Sequence, residues 1–286
     1  MSIVVRMVGQ FGNQVLTHVL CKILAERTGL AYRAPKCFID KQRRPVQWSG
    51  SPIFQLESSE GRATDRLPQV IDCLHWFDMA SLDRDRMIIV RQWFGQRYEF
   101  LQPWKEKIQR YWLRFMVPLP VQDVDRDAIY VHVRRTDYVF LDEASGVRPD
   151  PAQNGTATTL EEYARCFAEF PDAKRCVLVT DNAADPFLDD LIRTAEDCSL
   201  SATVQSLAWD LDFLTLAAAR FVVISQSTYS WLAAWLGMAE KIVCPCFPGT
   251  FWHHGMGLHG APGPGEHDYP NLYPDDESER WTWITG

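Results

Sequence analysis

The stretch Ala128-Ile129-Tyr130-Val131-His132-Val133-Arg134-Arg135-Thr136-Asp137-Tyr138 decides how the rest of the chain is read. Its first six residues are largely β-branched or aromatic and predict a strand, and two arginines and a carboxylate follow the strand directly. Downstream the pattern alternates. A helix is expected at Leu160 to Phe170 behind a Thr158-x-x-Glu161 capping box, then a strand at Arg175 to Val179 and a helix opened by Asp185-Pro186. A weak strand near Ser201 to Val204, a helix at Leu211 to Ala219 and a strand at Phe221 to Ile224 come next. A helix at Trp231 to Leu236 and a strand at Lys241 to Val243 complete the series. Strands that alternate with helices imply an α/β fold with a parallel sheet covered on both faces.

Upstream, Ile3 to Val8 reads as a strand, followed by a glycine turn and a helix that repeats apolar residues from Val15 to Leu24 until Gly29 stops it. From Ala34 to about Leu82 prolines and polar clusters predict loop-rich structure. Met87 to Val90 reads as a strand, and Trp104, Ile108, Tyr111, Trp112 and Phe115 mark one face of a helix. Val117-Pro118-Leu119-Pro120 is the candidate linker, which divides the chain into residues 1–120 and 121–286.

With 286 residues, 47% of them apolar and 23% charged, the chain can bury a sizeable core and is not disordered. Its 29 basic and 37 acidic residues leave a net charge of −8, which disfavours nonspecific attraction to nucleic acid or to an anionic membrane. No apolar run reaches the roughly 20 residues of a membrane helix, so we expect a soluble, unprocessed cytoplasmic chain with no transmembrane segment. The eight cysteines lack zinc-type spacing and read as thiols. Cys244-Pro245-Cys246 reads as a strand end, and His253, His254, His259 and His267 show no regular ligand spacing, so no metal site is expected.

Four polar clusters stand at predicted strand ends. In Gly9-Gln10-Phe11-Gly12-Asn13-Gln14 the glycines permit a tight turn and helix-start amides face an anion; the same residues could be only a corner with an amide cap. After Val133, Arg134 and Arg135 exceed Asp137 by one positive charge. One arginine is expected to pair with Asp137 and the other to meet a ligand, since a guanidinium fork matches phosphate oxygens. Ile224-Ser225-Gln226-Ser227-Thr228-Tyr229-Ser230-Trp231 joins hydroxyls to helix-start amides, either as a neutral anion cradle or as ordinary caps. Thr180-Asp181-Asn182 is the fourth. Asp181 there could cap a turn or accept from a base edge.

Taken together and in order, the Gly-x-Phe-Gly-Asn-Gln start, His132-Val-Arg-Arg-Thr-Asp-Tyr138 and Ser225-Gln-Ser-Thr-Tyr-Ser-Trp231 resemble the family-11 α-1,2-fucosyltransferases. The lead-in Asp210-Leu-Asp-Phe-Leu-Thr-Leu216 and the closing Trp281-Thr-Trp-Ile284 resemble that family as well. The His-x-Arg-Arg-x-Asp element is shared with α-1,6- and protein O-fucosyltransferases. Gln226 stands where asparagine is commoner, Leu232 where a second tryptophan is expected, and Gln10-Phe11 resembles the protein O-fucosyltransferase form.

The resemblance implies a GT-B-like fold, two Rossmann-like domains with parallel sheets facing a cleft, the first on the acceptor side and the second binding the nucleotide sugar. A C-terminal tail would pack back on the first domain. It implies inverting transfer of L-fucose from GDP-β-L-fucose to an acceptor oligosaccharide, at O2 of a terminal galactose, with no cofactor and no metal. Arg134 would meet the donor phosphates, His132 the nucleoside side, Ser227 and Thr228 the diphosphate, and Asp181 the guanine. Gly12 would help bind the donor, Asn13 would stand where donor and acceptor meet, and Arg134 and Asn13 are the expected catalytic pair. Alternatives are another nucleotide sugar, another fucosyl linkage, or an inactive nucleotide-sugar-binding module; peripheral contact with the inner membrane face is also open.

Overall fold

The computed structural model describes residues 3–5, 11–34, 37–39, 45–47, 54–56, 58–64, 69–72, 82–83, 85–91, 98–115, 124–135, 158–225, 227–246 and 279–285. The chain divides into two compact units, the first built on Met1–Pro118 and the second on Leu119–Gly260 with Pro274–Gly286. The candidate linker at 117–120 and the expected return of the tail within 247–278 lie outside the described residues.

The first unit starts with β1 (Ile3–Val5) and α1 (Phe11–Thr28). Four short strands follow in the segment read as loop-rich: β2 (Cys37–Ile39), β3 (Pro45–Gln47), β4 (Phe54–Leu56) and β5 (Gln69–Asp72). Each has only three or four residues, too few for alternation to stand out against its prolines. Next is β6 (Ile88–Arg91), which lies between β1 and β5 in a parallel three-stranded sheet. Most of α1 is buried, and Leu20, Leu24 and Ala25 pack with Ile3, Leu30, Tyr32, Ile88 and Val90. Gly29, at a φ of 69°, ends the helix in the left-handed conformation that glycine adopts without a Cβ clash.

The expected helix around residues 104–115 is revised at both ends. A helical run begins at α2 (Tyr98–Leu101), passes through a 3-10 turn at Gln102–Trp104 and α3 (Lys105–Lys107), and closes in a π-helical turn at Ile108–Trp112. Leu113–Phe115 is instead β7, antiparallel to β4. Strand pairing with Phe54–Leu56 overrides the helical spacing there, a tertiary contact that periodicity does not contain.

The second unit contains β8 (Ala128–Val133), α4 (Leu160–Ala168), β9 (Arg175–Thr180), α5 (Phe187–Asp197) and β10 (Ser201–Gln205). It continues with α6 (Trp209–Ala218), β11 (Phe221–Val223), α7 (Thr228–Leu236), β12 (Lys241–Cys246) and β13 (Trp281–Thr285). The sheet order is β10-β9-β8-β11-β12-β13, and each adjacent pair is parallel. The chain therefore moves outward from β8 to β10, then returns to lay β11 on the other side of β8. This is the doubly wound Rossmann order, with its switch point between β8 and β11. A parallel sheet in each unit, doubly wound in the second, fits the α/β, GT-B-like fold class expected from the sequence.

Every residue of β8 is buried, and Ile129, Val131 and Val133 pack with Phe167, Leu178, Leu191, Val223 and Val243. Two details depart from expectation. The capping box of α4 uses Thr159 and Glu162, one residue beyond the expected pair: Thr159 Oγ1 accepts from Glu162 N, and Glu162 Oε2 accepts from Thr159 N at 2.7 Å. Two Thr-x-x-Glu registers overlap here, and Thr158 is buried beside the Tyr163 hydroxyl, which leaves Thr159 to cap. At the other end of the sheet, Trp281–Thr285 is a full strand alongside β12, where the sequence showed only an aromatic tail.

Candidate functional site

The expected residues of the second unit collect at the switch point. Because β8 pairs with β11 through Val131 and Val223, His132 and Arg134 emerge beside the segment Ile224–Thr228. His132 Nδ1 lies 2.7 Å from Ser225 Oγ, and Arg134 Nη1 donates to Ser227 Oγ at 3.2 Å. Two polar links therefore join neighbouring strand ends that are 93 residues apart in sequence. Ser227 is also the N-cap of α7, where its Oγ accepts from Tyr229 N at 3.3 Å, and Thr228 is the first helical residue. Arg134 is half-buried, so its guanidinium sits at the edge of solvent and next to the open end of a helix.

The second arginine is held by a carboxylate that the sequence reading did not name. Arg135 Nε donates to Asp185 Oδ2 at 3.1 Å, and its guanidinium lies 4.0 Å above the Phe187 ring. Asp185 in turn accepts from Phe187 N and so opens α5. Arg135 is thus tied to a helix start in the β9–α5 connection. Asp137, the expected partner, lies outside the described residues, as do Gly9, Gln10, Gln226 and the histidines of the tail.

Beside the positive end stands an acidic one. Asp181 is exposed at the end of β9, whereas Asp210 and Asp212 are buried on α6. Asp212 accepts from Gln205 Nε2 at 2.9 Å and from Leu207 N at 3.1 Å. Burial pushes the Asp212 carboxyl above the usual carboxylate range, and Asp181 and Asp210 add to the shift while the two hydrogen bonds oppose it. Tyr229 ties this region to the switch point: its ring lies 5.3 Å from His132 and edge-on to Phe213 at 5.4 Å, while its hydroxyl donates to the Trp209 carbonyl. Burial first, then the carboxylates of Asp212, Asp210 and Asp181, keeps the phenol protonated well above its ordinary range.

Gly12 and Asn13 belong to the first unit. Both are inside the first turn of α1, so Gly12 is a helical residue rather than part of the preceding turn, and the Asn13 carbonyl accepts from Thr17 Oγ1 at 2.8 Å. Sequence reasoning gave no individual role to Ser225, Tyr229 or Asp212. Their signal was present, because Ser225 is the second residue after β11; using it required knowing that β11 lies against β8. Among the described residues no group of three or more His, Cys, Asp or Glu side chains could hold a metal ion, and no helix is long and apolar enough to cross a membrane.

No family model matches the chain, and no curated protein matches its sequence. Similar solved structures include POFUT1 in complex with GDP, at 14% identity over 83% of this chain and 95% of that chain, with a TM-score of 0.44. POFUT1 in complex with GDP-fucose gives the same identity, coverage and TM-score. A third, the apo form of POFUT1, is 14% identical over 82% of this chain and 93% of that chain, with a TM-score of 0.43.

Proposed function

We propose that this chain is an inverting glycosyltransferase that moves L-fucose from GDP-β-L-fucose to a hydroxyl of an acceptor glycan, at O2 of a terminal galactose. The observation that carries the reading is the joining of Arg134 to Ser227 at a Rossmann switch point, where ligands of such sheets bind. The sequence motifs that resemble fucosyltransferases supply both residues. A nucleoside diphosphate has an anionic end and, when the base is guanine, an end rich in N–H donors. Arg134 and the start of α7 suit the first, and the carboxylate of Asp181 suits the second.

In this reading Arg134 and the Ser227–Thr228 cradle bind the diphosphate, His132 faces the nucleoside side, Gly12 helps bind the donor, and Asn13 borders the junction of donor and acceptor. The acceptor oxygen attacks the anomeric carbon on the face opposite GDP. As that bond forms, the bond from the anomeric carbon to the β-phosphate oxygen breaks and its electron pair stays on the phosphate. Arg134 stabilises the charge that grows there, an effect largest in the transition state. The acceptor proton leaves late, so a weak base is enough. No metal has a part in this scheme, since the guanidinium and the helix amides supply the counter-charge.

The direct test is to incubate the chain with GDP-fucose and an array of galactose-terminated and other glycans, in chelator, and to determine the linkage of any product. An α-1,2-fucosylated product supports the reading. Turnover that stops in chelator, or a different linkage, overturns the corresponding part of it.

A further inference from the structure

We infer that Ser225 is a positioning residue for His132, fixing the ring so that Nδ1 accepts from the serine hydroxyl and the ring proton stands on Nε2, and that the ring so fixed takes part in holding the bound nucleotide. The last clause rests on the donor site proposed above; the fixing of the ring does not. Ser225 and His132 are 3% and 9% exposed, and their side chains meet at 2.7 Å. A serine hydroxyl carries one proton, and a buried one goes to an acceptor. Among the described residues the Ser225 hydroxyl has no other acceptor within hydrogen-bonding reach. Its backbone carbonyl is engaged separately, by Ser227 N and Ser230 Oγ. The proton therefore lies on the line to Nδ1, which makes Nδ1 the acceptor and leaves the ring proton of neutral His132 on Nε2.

The ring is held on its face as well as at its edge. Tyr229 lies 5.3 Å from it at a 32° tilt, and Tyr229 is itself fixed by its hydrogen bond to the Trp209 carbonyl and by the edge-on Phe213 ring. Rotation of the imidazole would break the Ser225 bond and press into Tyr229. In its neutral form the ring so oriented carries its N–H donor at Nε2, a group that suits an acceptor atom of a nucleotide: a sugar or phosphate oxygen, or a ring nitrogen of the base.

The test uses the full chain labelled with 15N at histidine, at a pH where the imidazoles are neutral. Proton–nitrogen correlation through two bonds reports the tautomer, and His132→Asn identifies the signal. The wild-type chain should show the Nε2–H form. Ser225→Ala should show a mixture of tautomers and about a tenfold weaker affinity for GDP with a near-unchanged melting temperature, and Ser225→Thr should restore both. An Nδ1–H tautomer in the wild-type chain, or an unaltered His132 signal in Ser225→Ala, overturns the inference, even if GDP affinity falls. The Nε2–H form lost in Ser225→Ala, together with no binding of GDP to the wild-type chain, upholds the positioning role and sinks the donor-site reading instead.

Discussion

The two units differ in where their motifs put polar side chains. In the first, Gln14, Thr17, His18, Lys22 and Thr28 are buried along α1, inside a helix whose apolar residues form the core. In the second, Asp210, Asp212 and Thr215 are also buried on a helix, but the polar groups of the sequence motifs gather where strands end and bond to one another: His132 with Ser225, Arg134 with Ser227, Arg135 with Asp185. A polar group within a core is a cost to folding unless paired, whereas one at a strand mouth can exchange a protein partner for a ligand. The difference teaches where to look for chemistry and where to look for stability.

The largest effect should come from the strand mouth. Arg134→Lys keeps the charge but loses the planar fork, so turnover should fall at least about a hundredfold, roughly 2.7 kcal/mol, while GDP affinity falls much less. Kinetics and calorimetry on the variant check this; a variant with full turnover would break the comparison by showing that the mouth is not where charge develops. Arg135→Lys should act on stability instead, because that arginine holds the β9–α5 connection through Asp185.

Next is a purely structural position in the same unit. A Cβ at Gly237 would lie 2.3 Å from the Ala217 carbonyl oxygen and 2.5 Å from that of Ala233, so Gly237→Ala must force α6 and α7 apart. We expect a loss of about 2.5 kcal/mol in denaturant unfolding. A loss below about 0.5 kcal/mol would show that the two helices have slack there.

The buried polar groups of α1 give a pH signature. His18 is fully buried, and burial, with the nearby Lys22 charge second, lowers its pKa to about 3. The folded state thus refuses a proton that the unfolded state takes below its ordinary value near 6.5. The unfolded chain binds more protons between these limits, so stability rises with pH across them: it is complete above about 6.5 and is lost as the pH falls toward 3. At pH 5 the loss from this one group is about 2 kcal/mol. His18→Gln should flatten the unfolding curve between pH 6.5 and 5. An unchanged slope would mean that this histidine titrates freely and that α1 is no different from the strand mouths.

The smallest effect is a gain. Ser199 has a φ of 64° at the end of α5, where Leu200 N donates to the Ala195 carbonyl and Ser199 N to that of Glu196. This is a Schellman ending with serine at the position that favours glycine. Ser199→Gly should raise stability by about 1 kcal/mol, read as a higher melting temperature with unchanged GDP affinity.

How far the sequence could be read follows the same division. Strands and helices of ordinary length in the second unit were legible, because β8 and β9 are apolar runs bounded by turn residues and Asp185-Pro186 opens α5; β10, with its Ser, Thr and Gln, gave only a weak strand, and α7 starts at Thr228, three residues before the expected Trp231. The site motifs were legible for the same reason, since each follows a strand directly. The order of the strands was not: nothing in Phe221–Val223 says that it pairs with Ala128–Val133 rather than with β10, and without that pairing Ser225 cannot be placed beside His132. Asp185 as a partner of Arg135 was not legible on similar grounds, because it stands 50 residues on in the sequence. Length set the limit in the first unit, where three-residue strands such as β2 and β3 offer no period to detect.

The pairing of β12 with β13 brings time into the picture. Ile242 lies opposite Trp281, so a chain emerging from a ribosome has β8 to β12 in hand before the sixth strand exists. Until it arrives β12 is the margin of the sheet, and Pro245, which has no amide proton to offer, makes that margin a poor template for a stray strand. Arg280 comes with the same late segment and donates to the carbonyls of Ala234 and Ala239 at the far end of α7. The helix that presents Ser227 and Thr228 therefore gains its Arg280 contacts only after translation has reached β13.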